Sequence, residues 1–243
     1  SLRRRQRQMC IRDRKTTVQP DFVFADDTLN RLDFPGKQVI TLTCHRRENY
    51  GAPMEAILTA VRTIVEQNSN VEVVYPVHLS PVVQDCAHRL LGDHPRIHLI
   101  APLDVAQMHN LMARSYLVLT DSGGLQEEAP ALGKPVLVLR RETERPEAIA
   151  AGTAKLAGVE TDRIVSLTQE LLQGGEAYAR MAHAVNPYGD GKACERIANA
   201  IEGYFGVQQK VVGDFVGEDI EMADLFRHTT HVETVVLMSR AEK

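Results

Sequence analysis

A chain of 243 residues, 44% apolar and 25% charged, is long enough to bury a sizeable core and has the make-up of a globular protein. Its formal net charge of −4 hides an asymmetry, because residues 1–14 carry six Arg and one Asp and leave 22 basic against 31 acidic residues in the rest. An acidic body excludes a general nucleic-acid binder, whose affinity comes from a basic surface, so any phosphate binding has to be local. No apolar run reaches the eighteen or so residues of a membrane span and no secretory pattern opens the chain, so the expectation is a cytoplasmic protein without membrane association. Cys10, Cys44, Cys86 and Cys194 are scattered without metal-like or redox spacing; they are expected to be buried or incidental thiols, with no metal site and no disulfide frame.

In chain order, the arginine-rich leader at 1–15 lacks apolar periodicity and is expected to be a disordered tail, foreign to the natural protein or without function of its own. Residues 16–36 contain proline and paired aspartates and predict a connector. A buried-type strand follows at 39–43 (VITLT), ending in the loop CHRREN, and the threes and fours of Met54, Ile57, Leu58, Val61, Ile64 and Val65 predict an amphipathic helix. The next strand spans 71–77, with Ser80 as the expected cap and Pro81 as the first residue of a helix through Arg89. The alternation continues with a strand at 97–100, a helix at 104–114, strands at 117–120 and 136–139, and a helix opened by Glu144-Arg145-Pro146-Glu147. A short strand at 163–166, helices at 168–172 and 176–183, and a last helix at 192–204 complete the pattern. Such alternation predicts an α/β fold with a doubly wound parallel sheet, Rossmann-like but without G-x-G-x-x-G after any strand, so neither NAD nor another cofactor is expected.

The stretch 120–148 (TDSGGLQEEAPALGKPVLVLRRETERPEA) is the organising element. A strand ends in Asp121-Ser122-Gly123-Gly124 and turns into a helix; two adjacent glycines let backbone approach an anion, and Ser122 can cap the helix or donate to a phosphate oxygen. Glu127 and Glu128 fall in the first helical turns, where a carboxylate offsets the dipole or, facing a ligand, accepts from a ribose diol. A plain strand-to-helix turn with a capping serine would account for Ser-Gly-Gly alone. His45 stands beside two arginines at a strand end, the edge at which ligands collect in open α/β sheets.

Taken together, CHRRENYG (44–51), YPVHLSP (75–81), DSGGLQEE (121–128), ERPEA (144–148) and NPYGDGKA (186–193) resemble, in order and spacing, the non-hydrolysing UDP-N-acetylglucosamine 2-epimerases. The resemblance runs over about 37–203 and corresponds to the C-terminal half of that family's two-domain, glycosyltransferase-B-like architecture, giving a UDP-sugar-binding domain at 37–204. It implies catalytic and substrate-binding roles for His45 and Arg145, and substrate contacts at Ser122, Gly123, Gly124 and Glu128. It also implies contact of Arg46 and His78 with a second, activating molecule of UDP-N-acetylglucosamine. The family reaction eliminates UDP across C1–C2 and returns it after the C2 proton has changed face, giving UDP-N-acetylmannosamine; an imidazolium at His45 suits the departing diphosphate. The carboxylates that move the proton belong to the family's N-terminal half. The implied partners are therefore UDP-N-acetylglucosamine or UDP, an N-terminal epimerase domain in cis or trans, and a second copy in a homodimer. Alone, the chain is expected to bind a UDP-sugar weakly and to turn it over poorly.

The family's glutamine and aromatic residue near the uracil are replaced here by the aliphatic Leu103 and Met108. Two other readings stay open from the residues: a glycosyltransferase donor domain of the same fold, and a non-catalytic UDP-sugar-binding module. The segment 205–243 does not continue the resemblance; its last part, ADLFRHTTHVETVVLMSRAEK, is similar to the extreme C-terminus of RNA uracil-5-methyltransferases and reads locally as an edge strand or hairpin at 232–238.

Overall fold

The computed structural model describes residues 17–189 and 192–206. The basic leader, the segment from 207 onward with its expected strand at 232–238, and Asp190 and Gly191 lie outside the described residues. The elements are α1 (Asp27–Arg31), β1 (Gln38–Thr43), α2 (Ala52–Gln67), β2 (Val71–Pro76), α3 (Pro81–Leu91), β3 (Ile97–Ile100), α4 (Val105–Arg114) and β4 (Leu117–Thr120). There follow α5 (Gly123–Glu128), β5 (Val136–Val138), α6 (Pro146–Ala150), β6 (Ala154–Leu156), α7 (Thr161–Leu172), α8 (Gly175–Ala182) and α9 (Ala193–Tyr204).

The six strands form one parallel sheet in the order β3-β2-β1-β4-β5-β6. Parallel sheets covered on both faces need apolar residues at odd and even positions alike, which is why these strands read as continuous apolar runs. Ile40, Leu42, Val73, Tyr75, Leu117 and Leu119 pack on one face against Ile57, Val61 and Ile64 of α2 and Ile164 of α7. Val118, Val136 and Val138 pack on the other face with Met112, Leu125 and Ala148, while Val39 and Val74 join Phe24, Leu29 and Leu111. Sequence order reverses between β1 and β4, so the loops following those two strands open the crevice in which doubly wound folds bind ligands.

One expected strand is not there: 163–166 lies inside α7, and the sixth strand is Ala154–Leu156. The β-branched pair Ile164-Val165 imitates a strand, but the buried positions Ile164, Thr168, Leu171 and Leu172 are spaced for one helical face. The expected helix at 168–172 is the second half of the same element. The three residues of β6 carry a lysine in their centre and are too few to show a period of two.

Residues 17–34, expected to be a connector, are packed onto the domain. Phe22 and Phe34 lean on the cluster around Leu29 and Leu111, and Arg114 donates to the carbonyls of Pro20 and Phe22 at 3.0 Å each. The Arg114 guanidinium also lies 5.1 Å from the Phe24 ring centre, a cation–π arrangement. Asn110 donates to the Thr17 carbonyl (2.8 Å) and accepts from the Gln19 N–H (2.9 Å).

Candidate functional site

Asp121 is the pivot of the crevice. It leaves β4 fully buried, and its Oδ2 accepts from the backbone N–H of His45 (2.8 Å) and of Arg46 (2.7 Å) and from the Asn49 side chain (3.1 Å). Asn49 also donates to the Leu139 carbonyl at 3.1 Å, so one carboxylate and one amide fasten the loop after β1 to the ends of β4 and β5. From below, the Tyr75 hydroxyl donates to the Cys44 carbonyl at 2.6 Å, and the hydroxyls of Thr43 and Thr120 pair across β1 and β4 at 2.6 Å. His45 is thereby presented on a rigid base, with its ring partly exposed and its Nδ1 3.3 Å from Asp121 Oδ1.

The His45 ring stacks on that of His78, which follows β2, with centres 5.4 Å apart and planes 9° from parallel. Arg46 turns the other way: its guanidinium pairs with Glu144 at 3.5 Å and borders the Gly123 turn, where a β-carbon would lie 3.5 Å from Arg46 Nη2. Glu144 is shared with Arg140, a buried guanidinium that also bonds Glu48 at 2.6 Å. His78, His45, Asp121, Arg46, Gly123 and Glu144 thus form one continuous patch.

Ser122 takes the N-cap position of α5 but its hydroxyl makes no capping bond. Ser80 likewise precedes α3 without capping it; its hydroxyl accepts from Tyr50 at 3.3 Å, while Pro81 is the first helical residue as expected. Neither Gly123 nor Gly124 has a positive φ. A β-carbon on Gly124 would meet only Glu128 Oε1 at 3.7 Å and the Ser122 hydroxyl at 3.8 Å, ordinary contact distances. The chain itself therefore does not require glycine at 124, where the backbone is exposed, while Gly123 is buried beside Arg46 and Glu144. With only six residues, α5 contributes a weak dipole, so positive charge for an anion has to come from side chains.

Arg145 supplies such a charge at the N-terminus of α6. Its backbone N–H donates to Thr143 Oγ1 (3.0 Å), whose hydroxyl donates to Gln126 of α5 (2.6 Å), which ties the two loops together. Its Nε donates to Glu127 at 2.5 Å, and the charge of Glu147 adds a weaker attraction. Beside this pair, Tyr188 is held as a neutral phenol, pushed up first by burial and then by the charges of Glu147 and Glu127. Its hydroxyl and Glu147 Oε2 are buried without a hydrogen-bond partner. Glu128 is 3.3 Å from Nε2 of the buried His109, whose Nδ1 meets the Thr17 hydroxyl at 2.8 Å.

The structure places all eight sequence-derived site residues beyond the C-terminal ends of β1, β2, β4 and β5: His45, Arg46, His78, Ser122 and Arg145 in the following loops, and Gly123, Gly124 and Glu128 in α5. Sequence reasoning missed Asp121 as a site residue, and with it Asn49, Arg140, His109 and Tyr188. A carboxylate directly after an apolar strand was the available signal for Asp121; the others act through residues far away in the chain. Leu103 and Met108 are partly buried against the cluster of Phe24, Leu29 and Leu111. A cleft of about 440 Å³ opens along β6, lined among others by Lys155, Arg163, Glu170 and Arg180, and shares no residue with the crevice. Its Lys155 is paired with Glu170, and Arg163 donates to the Leu156 carbonyl.

A parallel sheet with helices on both faces and a crevice at the reversal of strand order belongs to the class of doubly wound, Rossmann-like α/β domains. The family is more particular: residues 11–202 match the model of UDP-N-acetylglucosamine 2-epimerase, and the chain belongs to that family. The match begins well before residue 37 and takes in the packed segment from Thr17. The Bacillus subtilis UDP-N-acetylglucosamine 2-epimerase is 51% identical over 188 residues, covering 77% of this chain and 50% of that protein. Among solved structures, the S. aureus MnaA–UDP complex superposes with a TM-score of 0.76 at 43% identity, over 85% of this chain and 56% of the other. The Neisseria meningitidis UDP-GlcNAc 2-epimerase bound to UDP-GlcNAc gives 0.66 at 40% identity, over 78% and 49%. The chain spans about half the length of the curated relatives it matches.

Proposed function

We propose that this chain is the nucleotide-sugar-binding half of a cytoplasmic UDP-N-acetylglucosamine 2-epimerase that supplies UDP-N-acetylmannosamine for cell-surface polysaccharide. The observation that carries the reading is the Gly123-Gly124 turn, exposed at Gly124, bordered by Arg46 and lying on the same sheet edge as His45, Ser122 and Arg145. The diphosphate lies on that turn, with the Ser122 hydroxyl and the cations of Arg145 and His45 around it, and Glu128 accepts from the ribose. Epimerisation proceeds by loss of UDP across C1–C2 and its re-addition after the C2 proton has returned on the other face. His45 and Arg145 stabilise the departing diphosphate, because their charges meet the negative charge as it develops. The proton transfers fall to carboxylates of an N-terminal domain supplied in cis or in trans, and the complete enzyme is a homodimer. Arg46 and His78 are assigned to a second, activating UDP-N-acetylglucosamine, next to the first because the patch is continuous.

The test is an epimerisation assay on the chain alone and after addition of an N-terminal epimerase domain from a relative. The chain alone is expected to convert no UDP-N-acetylglucosamine, and the mixture to form UDP-N-acetylmannosamine. A mixture that binds UDP-N-acetylglucosamine yet never turns it over would instead identify a binding module.

A further inference from the structure

We infer that Asp121 is a positioning residue that decides which nitrogen of His45 meets the ligand, holding the ring proton on Nδ1 and leaving Nε2 for the crevice. Oδ2 of this fully buried carboxylate is saturated by three N–H donors. Oδ1 is buried with no partner in hydrogen-bond geometry, and the nitrogen that faces it is His45 Nδ1, 3.3 Å away. An acceptor-only carboxylate at that distance favours a proton on Nδ1 and excludes a lone pair there. A small turn of the partly exposed ring aligns the bond, and it relieves the unsatisfied oxygen.

The other groups around the ring do not compete for this role. His78 stacks face to face with His45 and offers no atom in the ring plane; its own Nδ1 accepts from the Ser80 N–H at 3.0 Å, which places the proton of neutral His78 on Nε2. Arg46 is engaged with Glu144. The Cys44 thiol lies against Asp121 in the buried base of the loop and is a weak donor.

Two consequences follow for the ligand. With Nδ1 taken, neutral His45 points a lone pair at the crevice, which a phosphate oxygen repels; with Nε2 also protonated, it donates to that oxygen while Asp121 balances the charge. Binding of a diphosphate is therefore coupled to protonation of Nε2. This second step rests on the nucleotide-sugar reading, whereas the tautomer is a property of the free chain.

The experiment is long-range ¹H–¹⁵N correlation on the full chain labelled with ¹⁵N-histidine, the His45 signals being identified by their loss in His45→Gln. In the free wild-type chain, neutral His45 is expected to show a protonated Nδ1 and a bare Nε2. In Asp121→Asn the pattern is expected to reverse, because the amide oxygen keeps the backbone N–H donors and the amide N–H turns to Nδ1. A bare Nδ1 in the wild type, or an unchanged tautomer in Asp121→Asn, overturns the inference. Should Asp121→Asn fail to fold, the wild-type tautomer and its persistence in Cys44→Ala, which removes the competing thiol, decide the matter. Saturating UDP is expected to shift Nε2 to the protonated range. A Nδ1–H tautomer that does not respond to UDP upholds the role of Asp121 and overturns the nucleotide reading of the crevice.

Discussion

Gly123 and Gly124 open α5, and under the proposed function they carry the diphosphate. Glycine inside a helix costs roughly 0.5–1 kcal/mol relative to alanine, and Gly124 is a helical residue with room for a β-carbon. Gly124→Ala is therefore expected to leave the fold intact and raise its thermal midpoint slightly, while weakening UDP binding at least tenfold because the methyl group occupies the anion's place. Thermal melts and calorimetry on the same sample check both halves. Lys134, just before β5, is a contrasting residue that folding carries at a cost: burial lowers its pKa. Between that lowered value and the ordinary lysine value the unfolded chain holds more protons, so this group makes stability rise with pH through the window, and its penalty is complete below it. Lys134→Met is expected to stabilise the chain near neutral pH, with the advantage shrinking as pH rises toward the ordinary lysine value; urea titrations at several pH values would show it.

At the scale of elements, the strands and the crevice were legible because parallel strands buried on both faces are apolar throughout and ligand loops follow their C-terminal ends. His45 and Ser122 could be placed on one edge from that rule alone. Asp121 could not be given its role, since the groups it holds are 72 to 76 positions away and only the pairing of β1 with β4 brings them near. The same limit hid the packing of 17–34, whose aromatic residues are interspersed with aspartates and show no period. β6 was missed because three residues show no alternation, and a strand was expected at 163–166 because Ile164-Val165 is β-branched inside a helix fixed by tertiary contacts.

The final helix makes a prediction at this scale. Ile197, Ile201, Tyr204 and Phe205 of α9 and its end are exposed, Tyr204 at 85%. Because these side chains bury little here, Ile201→Glu with Tyr204→Glu is expected to change stability by no more than about 0.5 kcal/mol. The pair should nevertheless weaken complementation by an added N-terminal domain several-fold in the epimerisation assay. Equal complementation by the variant would place the contact elsewhere.

Across the whole molecule, the sheet supplies an edge, the Asp121 carboxylate and Asn49 amide beneath it fix the loops, and Arg46 and Arg145 stand at that edge paired with Glu144 and Glu127. Of the carboxylates at that edge, Glu127 is engaged with Arg145 and Glu128 with His109, while Glu147 Oε2 is buried without a hydrogen-bond partner. Among the described residues no helix is long and apolar enough to cross a membrane.

The most direct measurement is calorimetric titration of the full chain with UDP, alongside Arg145→Ala and Ser122→Ala. The account predicts saturable binding to one nucleotide site, weakened at least tenfold by Arg145→Ala and less by Ser122→Ala, with thermal melts showing both variants folded. Binding of the same strength in the wild type and both variants, or no heat of binding at millimolar UDP, would contradict it.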